Sequence, residues 1–554
     1  MFPGVYAIAD FDKRVYRGTH DPFAALADNP EIQLQYLLEL YPFSESKAFK
    51  INYTGLFPGV MPIADYRLTY AGGEEKERLS DRGFITTPSD SDPNRVFLGR
   101  VNNPLQFDTS ILNGDNFSGG SQSFGGVEII NADGALDRFF GYYWSGRRIV
   151  VKAGGLDFSY DQFATILEGS VDNIEGDDRR IILTLRDNRV KTDKPIRAGT
   201  YAGTGGLAGM TEMAGVQKPL AYGIVKNIAP VLVQYSTLTY QVHDGSISSI
   251  DAVRDKGIIL TNAGDVADIT MATPAAGTYV TQLSGGYIKL GSTPAGQVTA
   301  DVQGDNTGGF VSAPTDLAQR ILTSRMGVYS LASSDIDLGS FATLKAALFV
   351  TAGIYINSDM TGADVLNTLF SNAGAYWSFT RQGLLFAGIV SSPSSPTGNV
   401  QRIDVSGLGV PQVIEPAWRI KVAYLPSNEV QNETDLASGV TSAVLNFVTQ
   451  QYRYETYEDT NVRLKNSAAK ERVFYTNLGD QASAQVLLAK LTAVYGVKRT
   501  VFRVPVYKAL FRYFLGDVVN LVYDRYGLSS GKNFMVVGVS DNAASDQTVL
   551  TLWG

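Results

Sequence analysis

Few residues in this chain of 554 can do covalent or metal chemistry: it has two histidines, His20 and His243, and no cysteine. Without cysteine there is no thiolate ligand, no thiol nucleophile and no disulfide. With two histidines, a zinc site would take most of its ligands from carboxylates. The pattern Gly527-Leu-Ser-Ser-Gly531 has the spacing of a nucleophile elbow, which presents its serine on a strained turn between an entering strand and a leaving helix. Here strand-like sequence lies on both sides and either histidine is far away in the chain, so the segment reads as a hairpin turn. Gly203-Thr-Gly205-Gly-Leu-Ala-Gly209 misses the dinucleotide fingerprint by one residue and follows no strand of that fold. Gly531-Lys532 is followed by Asn533, where a phosphate loop needs Ser or Thr.

Two acidic segments, Asn131-Ala-Asp133-Gly-Ala-Leu-Asp137 and Asp301-Val-Gln-Gly-Asp305-Asn306, carry the oxygens that calcium takes about six to eight of. Neither has EF-hand spacing, and the same residue types build ordinary β-turns. His243 stands beside Asp244-Gly245 at the end of an alternating strand and reads as a turn-edge residue. The Tyr- and Phe-rich strands read as core before they read as a glycan groove. A pair of carboxylates for glycoside hydrolysis is a property of the fold, not of spacing. The sequence therefore assigns no catalytic, cofactor-binding or metal-binding residue.

The elements that would position any such residue are mostly strands. Gly at 56 positions, with 29 Tyr and 27 Phe, favours a β-rich, turn-dense fold. At about 100–200 residues per domain, the length implies three to five units. The net charge of −8 gives no field that would hold a polyanion, which argues against sequence-specific nucleic-acid binding. The start, Met1-Phe-Pro-Gly-Val-Tyr6, lacks a basic region followed by an apolar one. The longest apolar run, 346–356, falls far short of the roughly 20 residues that span a bilayer. A soluble chain made in the cytoplasm is expected.

Phe124 to Asp187 repeats a cycle of strand, Gly/Asn/Asp turn and strand, with strands at Val127–Ile129, Arg148–Gly154, Phe163–Ser170 and Arg180–Arg186. Ile32–Tyr41 is strand or helix by its pattern, strand preferred between Pro30 and Pro42. Further strands are expected over 49–53, 66–70, 84–87 and 96–101. Gly199–Gly215 reads as a flexible loop at a domain boundary, followed by strands at 230–235, 238–243, 257–261 and 279–283 and a turn at 301–309.

Helices are predicted from Thr315 as cap, over Phe341–Phe349, over Thr361–Asn372 and after Asp480 as cap. After a polar linker at 391–399, strands resume at Val413 and over 420–424. The four strands within 501–553 imply a small closing barrel. The fold class is thus mainly β and multidomain, built of antiparallel sandwiches or barrels, with one α+β domain and a small C-terminal β-barrel. Domains are drawn at 1–198, 199–300, 301–398 and 399–554.

Gly126-Val-Glu-Ile-Ile-Asn-Ala-Asp-Gly-Ala-Leu-Asp137, Ser145-Gly-Arg147, Leu183-Thr-Leu-Arg-Asp187, Lys218-Pro-Leu-Ala-Tyr-Gly-Ile-Val-Lys-Asn-Ile-Ala-Pro230 and the closing Leu-Thr-Leu-Trp-Gly554 together resemble tail proteins of long-tailed bacteriophages and prophages, of the tail-tip or baseplate-hub family. The resemblance covers about two thirds of the chain in pieces. It implies a non-enzymatic structural protein of the virion's tail tip, a hub-like ring that joins the tail tube to the distal fibre or receptor-binding apparatus and lets DNA pass. It also implies a homo-oligomer, a trimer before a hexamer. The partners would be other tail proteins: a distal tail or tube protein, the tape measure and a central fibre. The alternatives are a peripheral receptor-binding adhesin and a polysaccharide or cell-wall hydrolase.

Overall fold

The computed structural model describes residues 33–44, 48–50, 67–69, 73–507 and 509–554. His20 and most of the strands expected over 49–53 and 66–70 lie outside them; what is described there is a short antiparallel pair, Ala48–Lys50 with Arg67–Thr69. The architecture is mainly β, with four larger sheets of nine, eight, five and five strands.

The nine-stranded sheet closes on itself. Its ladder runs Phe84–Ile85, Val96–Gly99, Glu77–Ser80, Leu34–Leu40, Arg148–Gly155, Ala164–Gly176, Arg180–Arg186, Val127–Ile130, Val101–Asn103. Val96–Gly99 and Val101–Asn103, near its two ends, are separated only by Arg100. The Arg100 N–H donates to Ser80 O on one side, and its carbonyl accepts from Ile130 N on the other. The result is a barrel, and as in other small barrels side chains fill the inside. Leu38, Leu40, Leu79, Val127, Ile149 and Ile181 are all buried there. Alternation in Arg180–Arg186 sends Ile181, Leu183 and Leu185 inward.

Two five-stranded sheets then form a sandwich. Leu220–Ile228, Ile247–Asp255 and Val298–Asp305 face Thr239–Gln241, Thr278–Gln282 and Tyr287–Leu290 across a core containing Val225, Val253, Tyr279, Ile288 and Val302. Val298–Asp305 is buried along nearly its whole length. The turn expected at 301–309 therefore starts only at Asn306. The sequence hid this strand because its aspartates and Gly304 are turn formers that pairing and burial overrode.

The loop expected to be flexible at 199–215 is instead pinned to the second sheet. Tyr201 is buried and its hydroxyl donates to Gln241 Oε1 at 2.8 Å, while Met213 packs with Val233 and Ile269. Two short 3-10 turns, Gly206–Ala208 and Thr211–Met213, shape the loop.

Helices Pro314–Ser324, Leu338–Leu348 and Gly362–Leu369 pack on the hairpin Ala375–Phe379/Leu385–Ile389. The first is capped two residues earlier than predicted, at Ala313: Pro314 opens its first turn, and Thr315 is buried inside it. Helix Gln481–Tyr495, capped by Asp480 as expected, covers the sheet Arg453–Glu458, Arg419–Tyr424, Glu471–Tyr475 and shares the same core. Helices Ser442–Val448 and Thr460–Lys465 were not signalled, being too short for a periodic stripe to show.

The four strands expected near the C-terminus are present as Arg499–Tyr507, Val518–Leu521, Lys532–Asn542 and Gln547–Trp553. They do not stand alone, because the hairpin Gln106–Asn113/Asn116–Phe124 adds to the same sheet, with Gln106 opposite Asn542 and Ser110 opposite Gly538. The N-terminal part of the chain is thereby stitched to its end.

Candidate functional site

The residues singled out in the sequence are held by the protein itself. In the Asn131–Asp137 turn, Asn131 Oδ1 accepts from Leu136 N and its Nδ2 donates to Asp137 Oδ1, both at 2.8 Å. Arg100 forks onto Asp133 at 2.7 and 2.6 Å, and that guanidinium holds the Asp133 carboxyl far below the usual range. Asp301 accepts Arg254 Nη1 and Nη2 at 2.8 and 2.7 Å and the Asn227 amide at 2.9 Å. Asp305 accepts Arg320 Nη1 at 2.9 Å and the Thr307 hydroxyl at 2.8 Å. Among the described residues no three His, Cys, Asp or Glu side chains are placed to hold a metal.

His243 is fully buried, not at a turn edge. Its Nδ1 accepts from the Ala221 amide at 3.0 Å, its Nε2 lies 3.5 Å from Asp305 Oδ1, and the Tyr222 ring meets it edge-on. Burial works against the charged form of Asp305, yet the nearby His243 ring and the hydrogen bonds from Thr307 and Arg320 leave its carboxyl below the ordinary range. Asp301 thus ties its strand to the neighbouring strand Ile247–Asp255 of the same sheet, and Asp305 ties it to the helix Pro314–Ser324.

Gly527–Gly531 lies in the connection between Val518–Leu521 and Lys532–Asn542, with Ser529 and Ser530 exposed and no helix following. In the Gly203–Gly209 loop, amides that a nucleotide loop would turn outward are closed on the chain: Gly203 N donates to Ala208 O and Gly205 N to Gly209 O.

Sequence reasoning missed the place where three bodies meet. Arg381, at the turn after Ala375–Phe379, is buried and pairs with buried Asp541 of Lys532–Asn542 at 3.1 Å. Its Nη2 donates to Phe511 O at 2.6 Å, and its guanidinium lies 4.5 Å from the Phe514 ring centroid. Asp541 also accepts the Thr548 hydroxyl and the Phe511 amide. On the other side, Arg381 O accepts from Glu168 N of the first barrel, and Gln382 Nε2 donates to Thr165 O. One tight turn therefore ties the helical unit to the first barrel and to the C-terminal sheet. Nearby Asp517 is buried with Oδ2 accepting the Phe514 amide; burial pushes its carboxyl up to about 7, against the pull of that amide and of Arg381. Arg381 and Asp541 are far apart in the chain, so no spacing rule links them.

The outer surface carries large apolar side chains. Ile85, Val96 and Leu98 share one face of the hairpin at the barrel's edge, since Ile85 stands opposite Val96 and Leu98 follows two residues on. Val328, Phe349, Ile403, Val410 and Leu464 are each more than four fifths exposed.

Among solved structures, the chain is similar to one from the virion of a native gene transfer agent particle, with a TM-score of 0.38, 12% identity, and 61% of this chain and 84% of that chain covered. It is also similar to the prophage MuSo2 43 kDa tail protein from Shewanella oneidensis, with TM-score 0.34, 9% identity and coverage of 83% and 95%. A third is the tail protein from Neisseria meningitidis MC58, with TM-score 0.32, 12% identity and coverage of 82% and 92%. No protein-family model matches the chain, and no curated protein matches it.

Proposed function

We propose that this chain is a structural subunit of a phage or prophage tail, placed at the tail tip or baseplate hub. The observation that carries this reading is the run of segments quoted above, Gly126–Asp137, Ser145–Arg147, Leu183–Asp187 and Lys218–Pro230, which resemble tail-hub proteins. The build of the chain supports it. A subunit that transmits force needs its domains to move as one body, and here a hairpin of the N-terminal half pairs into the C-terminal sheet while Arg381 ties three bodies together. Exposed Val328, Phe349, Ile403 and Val410 supply apolar surface for neighbours.

In this reading copies of the chain close into a ring, a trimer in preference to a hexamer. The ring joins the tube to the distal fibre or receptor-binding apparatus and meets a distal tail or tube protein, the tape measure and a central fibre. DNA passes through its lumen, and a chain of net charge −8 does not retain phosphates. The role is mechanical, with no catalytic turnover. An affinity tag at the C-terminus, gold-labelled on purified particles, is expected to mark the distal end of the tail on its axis. Label along the tube, or particles without label, contradicts the assignment.

A further inference from the structure

A hollow of about 270 Å³ opens on the first barrel between the segment Tyr142–Ser145 and the strand Ala164–Gly176. Its aromatic side is held rigidly. Tyr143 exchanges both backbone hydrogen bonds with Phe43 and presents a half-exposed ring; the Tyr142 hydroxyl donates to Glu77 Oε1 at 3.3 Å; the buried Trp144 anchors the segment through Nε1 to Phe139 O at 2.7 Å.

The polar side is aimed by a bulge. The ladder between this strand and Arg180–Arg186 slips between Val171 and Asn173, leaving Asp172 without an opposite residue. Bulges of this kind re-aim a side chain. Arg186 then clamps the edge: Nε and Nη2 reach Asp172 Oδ1 at 2.9 and 2.7 Å, and Nη2 donates to Ser145 Oγ at 3.2 Å. Asp172 Oδ2 and the exposed Asn173 amide hydrogen-bond to no described residue.

We propose that this hollow binds a saccharide ring. A pyranose presents an apolar C–H face and a rim of hydroxyls that both donate and accept, and the hollow offers the complement. The tyrosine rings take the C–H face, Asp172 Oδ2 accepts from one hydroxyl, and the Asn173 amide donates to and accepts from its neighbour. The chemistry disfavours other ligands. A phosphate or carboxylate would meet Asp172, and a cation would meet a carboxylate already engaged by Arg186. An apolar ligand would strip water from Asp172 and Asn173 without replacing it. The volume lies just under the range of about 300–1,000 Å³ typical of larger ligands, which suits a single ring at a chain end or branch. The proposal is independent of the tail assignment.

The test uses the full chain on a printed array of oligosaccharides, with neutral capsular fragments and muropeptide fragments as separate sets to distinguish capsule from cell wall as the source. Binding to at least one set is expected. Tyr143→Ala and Asn173→Ala are each expected to weaken it about tenfold or more, and Asn173→Ala to do so without moving the unfolding midpoint. Asn173 pairs with Thr184 through its backbone while its exposed side chain makes no described hydrogen bond, so its variant separates recognition from stability. No binding by the wild-type chain, or equal binding by both variants, overturns the proposal. So does a loss of self-association in Tyr143→Ala with no saccharide signal, which would give the hollow to a neighbouring copy.

Discussion

Asp517 and Arg381 show what burial does to single side chains. Asp517 has its carboxyl pushed up to about 7 by desolvation, so the folded chain holds this proton more tightly than the unfolded chain does. The contribution of this one group to stability is therefore greatest below the ordinary carboxyl range. It falls as pH rises from about 4 to about 7, and above that the whole penalty is present. Asp517→Asn is expected to flatten this fall, gaining on wild type in urea midpoint between about pH 4 and about pH 7; parallel curves for the two proteins would contradict it. Arg381→Met leaves Asp541 buried opposite an apolar side chain, and a loss of roughly 3–5 kcal/mol in urea unfolding is expected. Such residues were not legible in the sequence. Asp541 and Arg381 are ordinary surface residue types by composition, and only the meeting of distant segments makes them a buried pair. The opposite held for Asn131–Asp137, where turn chemistry is local: the sequence marked a turn, and a turn is there.

At the level of elements, local signals worked where a cap or an alternation sat inside a few residues. Asp480 accepts from Ser483 N at 2.7 Å at the start of Gln481–Tyr495 and also takes the Thr351 hydroxyl. Asp480→Ala is expected to cost about 1–2 kcal/mol, read from the unfolding midpoint. Signals failed where burial overrode propensity. Val298–Asp305 contains two aspartates and Gly304, yet it runs as a central strand because Arg254, Arg320 and His243 receive the carboxylates. Gly304 is needed for close approach: a Cβ there would come within 2.2 Å of Ala221 O on the neighbouring strand. Gly304→Ala is expected to destabilise by about 1–3 kcal/mol through forced backbone shifts; an unchanged midpoint would show that the two strands can separate freely. The loop 199–215 failed differently, since its glycines suggested mobility while Tyr201 and Met213 fixed it.

For the whole molecule, the sequence made the mainly β class and the helical interlude legible, because texture and periodicity are properties of a stretch. It did not show how the bodies interlock. Closure of the first barrel depends on Arg100 joining two ladder ends, and addition of Gln106–Asn113 to the strand Lys532–Asn542 is a pairing between opposite ends of the chain. No pattern within either segment names its partner. The interlocking gives the proposed subunit its stiffness, and in the proposed ring the exposed apolar residues would face neighbouring copies. The most direct test is the mass of the purified chain by light scattering. A closed assembly of about three times the 59.9 kDa chain mass, stable on dilution, is expected. A chain that stays a monomer at all concentrations would contradict it.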